Sequence, residues 1–567
     1  MTLRFIALIA LMSPVHAQTV GGGFELQFEL NGSFAAETAG LGGAISKVGD
    51  INGDGVNDII VGAPLSSPGG LFQAGAVVVY SGADGTVLYH FIGAEAFDHF
   101  GGSVSGLGDI NQDGFDEILV GASDANPSGL LRAGSCYIYS GQDGSLLRQW
   151  TGEGESDAFG SAVSHAGDLN ADGYPDILVG APSANPNGVV DAGSAYCYSG
   201  QNGVLLFQWN GAVSQDFLGS SVSFAGNLNG DLIPDVLIGA YGATSPNVSS
   251  PGGAFAFSGA SGVEIYRWYG EAYADQMGWS VSGGYDLNND GFDDCIVGAP
   301  GANIGFIYNF GSVFVYSGQD GSLLYRWDGD NEGDFLGASV SGVKDVNGDG
   351  MDDIIMGAQS VGNIHRFHIG YAHLRSGRNG ALIQKWKGLT STDAFGLVVA
   401  DAGDLDTDGF SDIAIASPAS VWSGQFGPGS VRLYTINPYL KANTETLSDS
   451  SSALISLSLS FPKSAAFYDY QILLSAANTG PTSLGIQIPL GLDNLFVNSY
   501  FGNYPFPLSS NLRGRLNANG DAGATFGKLA GTPTGAVGRT FYLAAIANQP
   551  GQLPEYSSVA VAIEITP

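Results

Sequence analysis

The stretch Asp168-Leu169-Asn170-Ala171-Asp172-Gly173-Tyr174-Pro175-Asp176 decides the fold. It places oxygen-bearing side chains at loop positions 1, 3, 5 and 9, and a glycine at position 6, where the backbone must turn sharply. Hard oxygen donors spaced around a glycine turn suit Ca²⁺, which takes about six to eight oxygens in a flexible shell. The same stretch recurs with its first residue at 50, 109, 168, 227, 286, 345 and 404, a constant step of 59 residues over seven copies. A calcium-type loop repeated at a fixed period has to be explained by the architecture before it is explained by any single site.

Working outward from the loop, each copy reads as four short antiparallel strands. In the second copy Phe100 to Gly108 is strand a, the loop runs from Asp109 to Glu117, and Ile118 to Ala122 is strand b. A polar connection from Ser123 to Arg132 leads to strand c, Gly134 to Gly141; Gln142-Asp143-Gly144 is a hairpin signal, and Ser145 to Trp150 is strand d. Glycines keep the frame at 42, 101, 160, 219, 278, 337 and 396 before strand a, and at 75, 134, 193, 252, 311, 370 and 429 before strand c. One such unit cannot bury both faces of its sheet, so copies must stack. The seventh copy stops at strand c near Ile436, while Phe24 to Leu30 stands before the first copy in the frame of a d strand. Those complementary ends predict a closed ring, a seven-bladed β-propeller of four-stranded blades, in preference to a linear solenoid.

The ordered set Phe159-Gly160, Asp168 to Asp176 and Gly180-Ala181-Pro182 resembles the FG-GAP repeat of integrin alpha chains and of bacterial secreted proteins. The resemblance covers residues 24–437. It implies a seven-bladed propeller with calcium in the a–b loops, and an adhesive or ligand-binding role.

The rest of the chain sets bounds. Among its 567 residues are 88 glycines, far above the usual share of about 7% and in keeping with an all-β protein rich in tight turns. The net charge of −35 excludes nucleic-acid binding, which needs Lys and Arg for phosphate. Residues 1–17 read as a signal peptide, with Arg4, an apolar run from Phe5 to Met12, and Val15-His16-Ala17 as the cleavage signal. No later run reaches the roughly 18 apolar residues of a membrane span, so a secreted or cell-surface protein is expected. Cys136, Cys197 and Cys295 lie in apolar strand runs of separate repeats and read as buried thiols. Residues 438–452 read as a linker. Residues 453–567, with alternating runs such as Ile455 to Phe461 and Val559 to Ile565, read as a C-terminal all-β, sandwich-like domain.

Six loops carry a full ligand set. These are Asp50, Asn52, Asp54, the Val56 carbonyl and Asp58; then Asp109, Asn111, Asp113, the Phe115 carbonyl and Glu117. Next come Asp168, Asn170, Asp172, the Tyr174 carbonyl and Asp176; then Asp286, Asn288, Asp290, the Phe292 carbonyl and Asp294. The last two are Asp345, Asn347, Asp349, the Met351 carbonyl and Asp353, and Asp404, Asp406, Asp408, the Phe410 carbonyl and Asp412. About six Ca²⁺ sites follow. The fourth loop has Asn227 at position 1 and Leu232 in place of the turn glycine, so its site is expected to be weak or empty. A second recurring acid, Asp98, Asp157, Asp216, Asp275, Asp334 and Asp393, reads as a turn cap before strand a.

Antiparallel order puts the a–b loops and c–d hairpins on one face of the ring, and the b–c and d–a connections on the other. A protein or glycan partner is expected on the second face, at Phe306, Tyr308, His365, Arg366, Phe367 and His368. No catalytic constellation stands out, so non-catalytic adhesion or binding is the favoured function. An extracellular polysaccharide-active enzyme working on the b–c/d–a face, and a structural surface-layer or matrix scaffold, are the alternatives.

Overall fold

The computed structural model describes residues 19–20, 24–32, 38–303, 309–347, 350–359, 369–390, 393–418 and 428–436, together with strand segments between 440 and 566. Each of the first six repeats forms one four-stranded antiparallel sheet with its strands in chain order. In the third blade these are Ala162–Gly167, Asp176–Ala181, Ser194–Tyr198 and Leu205–Asn210. Val163 pairs with Val179, Val179 with Tyr196, and Ala195 with Trp209. The first strands of successive blades touch one another around the axis, and Val399–Gly403 of the last meets Ala44–Val48 of the first. The second strand is buried along its whole length, as in Asp176–Ala181. Both of its faces are covered by neighbouring blades, which is why it reads as an unbroken apolar run.

The core is a set of interblade layers. Cys136 and Ile138 of the second blade pack with Phe159, Val163 and Val179 of the third, and Cys197 and Trp209 of the third with Val236 and Ile238 of the fourth. The three cysteines are buried free thiols, as expected. Three outer-strand tryptophans hook the next blade: the indole N–H groups of Trp150, Trp209 and Trp268 donate to the carbonyls of Gly203, Gly262 and Gly321.

The recurring glycines mark backbone-to-backbone contact between blades. A Cβ on Gly121 would stand 2.0 Å from the Gly160 carbonyl oxygen, and one on Gly180 1.9 Å from that of Gly219. The Gly-Ala-Pro glycine of one repeat therefore lies against the Phe-Gly glycine of the next, and no side chain fits between them. Phe100, Phe159 and Phe395 of the Phe-Gly pairs are buried beside this contact, with Leu218, Met277 and Leu336 in the intervening copies.

The seventh sheet runs Thr19–Val20, Phe24–Asn31, Ser430–Ile436, Asp412–Ser417, Val399–Gly403. The N-terminal strand completes it in register, Phe24 opposite Ile436 and Leu30 opposite Val431. This is the expected closure. Pairing begins earlier than the sequence suggested, at Thr19, because a short extra strand folds back on Glu25.

In the C-terminal region Ala453–Ser460 pairs with Asp521–Lys528 and Leu440–Ala442. Thr540–Asn548 lies between Asp469–Ser475 and Val561–Thr566. Leu440–Ala442 and Thr446–Ser448 fall inside the stretch expected as a linker, and each pairs with a C-terminal strand. The packing of sheet on sheet that a sandwich requires depends on side chains outside the described ones, and the expected signal peptide, residues 1–17, lies outside the described residues. Among the described residues no helix is long and apolar enough to cross a membrane.

Candidate metal centres and the central channel

Among the described residues the a–b loops share one backbone path, held by their own side-chain oxygens. At position 1, Asp168 Oδ1 accepts the N–H of Asp172 at 3.0 Å and Oδ2 that of Gly173 at 2.8 Å. At position 3, Asn170 Oδ1 accepts the same Asp172 N–H at 2.9 Å, and at position 5 Asp172 Oδ1 accepts from Tyr174. Gly173 has φ +86°, a conformation that glycine adopts without steric cost. Asp50 to Gly55, Asp109 to Gly114, Asp286 to Gly291 and Asp404 to Gly409 repeat the pattern. In the sixth loop Asp345 Oδ2 accepts from Gly350; Asp349 lies outside the described residues.

The position-9 acid occupies a different environment. Asp176 is fully buried, with Oδ2 accepting from Leu169 N–H at 2.8 Å and Oδ1 from Gly200 N–H at 3.1 Å in the c–d hairpin. Asp58, Asp235, Asp294 and Asp353 tie Gly82, Gly259, Gly318 and Gly377 in the same way. Burial pushes Asp58, Asp176 and Asp235 up to about 6 and Asp294 up to about 7, against the pull of these N–H donors. Glu117, one methylene longer, accepts from Ile110 N–H and the Asn111 amide; burial raises it to about 7.

The donor set fits a hard cation. Every candidate side chain offers oxygen, with no imidazole or thiolate among them. Carboxylate oxygens of Asp109, Asp113 and Glu117 lie within 4.8 Å of one another, and so do those of Asp404, Asp406 and Asp412. Val56, Phe115, Tyr174, Phe292 and Phe410 each give their N–H to the position-5 aspartate. Met351 stands at the same place in the sixth loop. The fourth loop keeps the path without the glycine: Leu232 holds φ +69° and is 85% exposed, and Asn227 Oδ1 accepts only from Gly230.

The inner strands enclose a central channel of about 850 Å³. At its loop-side end one repeat-equivalent position reads Lys47, Gly106, His165, Phe224, Gly283, Gly342, Asp401. Lys47 Nζ meets Asp401 Oδ2 at 2.5 Å, and the Tyr285 hydroxyl donates toward the same oxygen at 3.4 Å. Tyr285 lies across Gly342, where a Cβ would stand 2.1 Å from its ring. His165 packs on Phe224 at 4.8 Å, and burial beside the Lys47 charge pushes its imidazole down to about 4.

An FG-GAP repeat family model matches residues 42–80, 100–139, 159–198, 277–316 and 336–373. Five of the repeats are FG-GAP repeats. The matches skip the fourth blade, where Asn227, Leu232 and Tyr241 break the pattern, and the seventh, where Ala416-Ser417-Pro418 replaces Gly-Ala-Pro. Integrin alpha-5 of Xenopus laevis is 33% identical over 210 residues, 34% of this chain and 19% of the integrin. Integrin alpha-8 of Gallus gallus is 32% identical over 213 residues, again 34% and 19%. Phosphatidylinositol-glycan-specific phospholipase D of Homo sapiens is 29% identical over 388 residues, 58% of this chain and 44% of that protein. The chain spans less than half the length of each of these relatives.

On the opposite face of the FG-GAP propeller, the second recurring acid caps turns as expected. Asp98, Asp157, Asp216, Asp275, Asp334 and Asp393 accept N–H bonds from Glu95, Gly154, Val213, Ala272, Asn331 and Thr390. The expected partner residues Phe306, Tyr308, His365, Arg366, Phe367 and His368 lie outside the described residues. The same face carries features the sequence reading passed over. One is a His99–Asp124–Arg132 relay, with His99 Nδ1 2.5 Å and Arg132 Nε 2.6 Å from the two oxygens of Asp124. Another is a file of rings, Phe217, Tyr241 and Trp279. A column-by-column comparison of the repeats reveals both, since Asp124 is the one acid and Tyr241 the one aromatic residue at their repeat-equivalent positions.

Proposed function

We propose that this protein is an extracellular, calcium-stabilised propeller that binds a protein or glycan partner without catalysis. The carrying observation is the division of labour between the two faces. One face repeats a single acidic loop with little variation. On the other, equivalent positions of the b–c connections expose Phe72, Leu131 and Val190 at 54%, 62% and 58%. Exposed apolar side chains repeated around one face favour an interaction surface.

In this reading Ca²⁺ is held at the six full loops by the position 1, 3, 5 and 9 side chains and the position-7 carbonyls, with the fourth loop weak or empty. Extracellular calcium modules bind at about 10⁻⁴–10⁻³ M, so millimolar calcium adds about 0.4–1.4 kcal/mol per site by mass action. Six sites together make the ion a staple for the a–b loops. The signal-like residues 1–17 and the integrin relatives support a secreted or surface location.

Screening the full chain on immobilised glycans and extracellular proteins, with and without chelator, tests this. Capture of a defined partner is expected, and it should weaken with chelator as the propeller loosens. Turnover of a polysaccharide or of a glycosylated phosphatidylinositol would replace binding with hydrolysis.

A further inference from the structure

The channel mouth on the face away from the acidic loops differs from its surroundings in charge. Its lining includes Gly43, Gly102, Ser161, Ser220 and Trp279 at the start of the inner strands, and the repeat-equivalent positions from Gly43 to Leu397 carry no ionisable side chain. In a chain of net charge −35 this is a neutral opening.

Trp279 stands at that opening with 42% of its surface exposed. Its ring lies 5.1 Å from Tyr241, which stacks on Phe217 at 4.9 Å and 11°. Tyr241 replaces the proline of Gly-Ala-Pro, and Phe217 holds a left-handed φ of +54°, so the file is set in a constrained backbone. Both belong to the fourth blade, whose metal loop is the degenerate one.

Beside the indole are serines whose hydroxyl protons are already committed. Ser220 donates to the Gly239 carbonyl at 3.2 Å, Ser221 to Gly278 at 2.9 Å and Ser280 to Gly337 at 2.8 Å. What they offer a ligand is acceptor lone pairs. An aromatic face flanked by hydroxyl acceptors, with no ionisable side chain at the seven positions equivalent to Trp279, matches a neutral pyranose. Its C–H face packs on the indole while its hydroxyls donate to the serines. A cation would find no counter-charge at the positions equivalent to Trp279, with Asp191 acting on the Tyr241 hydroxyl instead, and a polyanion would meet the acidic field of the whole chain.

We propose that the Trp279 mouth of the central channel is a binding site for a neutral sugar, with Tyr241 and Phe217 buttressing the indole and Ser220, Ser221 and Ser280 receiving hydroxyl donors. The channel lies within the roughly 300–1,000 Å³ of small-molecule pockets, enough for a mono- or disaccharide. The assignment rests on the reading of this face as the recognition face.

The test titrates the full, calcium-loaded chain with glucose, galactose, N-acetylglucosamine and their β-1,4-linked disaccharides by saturation-transfer NMR and calorimetry. At least one saccharide is expected to bind, and Trp279→Ala to weaken it tenfold or more while Trp279→Phe retains most of the affinity. Should Trp279→Ala lower the melting temperature, Trp279→Leu decides in its place, since it keeps apolar bulk without an aromatic face. Binding of none of these sugars overturns the site, as does binding unchanged in a well-folded Trp279 variant. Capture of a tetra-arginine peptide in their place overturns it in favour of a cationic protein segment. If immobilised proteins are captured equally by wild type and Trp279→Ala, the mouth assignment falls while the binding reading stands. If nothing is captured on either screen, both fall.

Discussion

Lys47 and Asp401 are 354 positions apart in the chain, yet their charged groups meet at 2.5 Å. They join the first inner strand to the last, so the ion pair lies on the seam where the ring closes. Asp401 has only 4% of its side chain exposed, while Lys47 has 42%. Removing the lysine leaves a buried carboxylate with weakened compensation. Lys47→Met is expected to lower stability by about 1–3 kcal/mol, read from urea midpoints. Adding Asp401→Asn should recover part of that loss, because the stranded charge goes with it. Additive losses in the double variant would show that the pair does not couple the two blades.

The same seam is closed a second time by the N-terminal strand. Phe24 is fully buried and meets Trp386 of the sixth blade edge-on at 5.0 Å. Phe24→Ala removes that ring from a layer that also holds Tyr434 and Ile413, and is expected to cost about 3–5 kcal/mol. Deleting residues 19–31 removes the partner of Ser430–Ile436 and should cost more, with a broadened unfolding transition as the seventh blade opens. A deletion variant with an unchanged midpoint would mean that the ring does not depend on this strand.

The propeller was legible because its signals are backbone requirements repeated in register. The Gly121–Gly160 contact admits no side chain, so glycine recurs every 59 residues from Gly42 to Gly396 and, facing it, from Gly62 to Gly357, with Ala416 in its place at the closing seam. The half-written seventh repeat and the orphan strand at Phe24 announced closure by the same logic. The site was less legible for two physical reasons. The acid pattern of Asp168 to Asp176 serves loop-bonding and cation-binding equally, and the sequence does not reveal that Asp176 is buried against Gly200 of the next hairpin. The channel brings together single residues from different blades, such as Tyr285 and Asp401, at positions whose identity changes from copy to copy, so no local motif marks them.

Calcium and pH should trade off at the position-9 acids. Asp58, Asp176 and Asp235 titrate near about 6, and Asp294 and Glu117 near about 7, when no cation is bound, against roughly 4 in an unfolded chain. Their folded values are raised, so the folded state binds protons more tightly. The stability this contributes is fully present below the unfolded value and is lost as pH rises through 6 to 7. In chelator, urea midpoints should therefore fall between pH 5 and pH 8, each tenfold difference in proton affinity between folded and unfolded chain being worth about 1.4 kcal/mol. Calcium replaces the proton as the neutralising charge, so millimolar calcium should raise the pH 8 midpoint most and the pH 5 midpoint least. A calcium effect of equal size at both pH values would separate the ion from these carboxylates.

The fourth loop offers a gain-of-function test. Leu232 sits at φ +69° with 85% of its surface exposed, so its side chain gains little packing and bears the left-handed cost of about 1–2 kcal/mol. Leu232→Gly removes that strain but loosens the unfolded chain by about 0.4–1 kcal/mol, leaving a net gain of up to about 1.6 kcal/mol in thermal or urea unfolding. Asn227→Asp then supplies the second oxygen that in the third loop receives the Gly173 N–H at 2.8 Å. With Asn229, Asp231 and Asp235 already in place, the double variant should bind one more calcium than wild type, counted by equilibrium dialysis on chelator-stripped protein. Leu232→Gly alone should leave the stoichiometry unchanged, since the missing charge is at position 1. An unaltered count in the double variant would mean that the acidic loops are not where calcium binds.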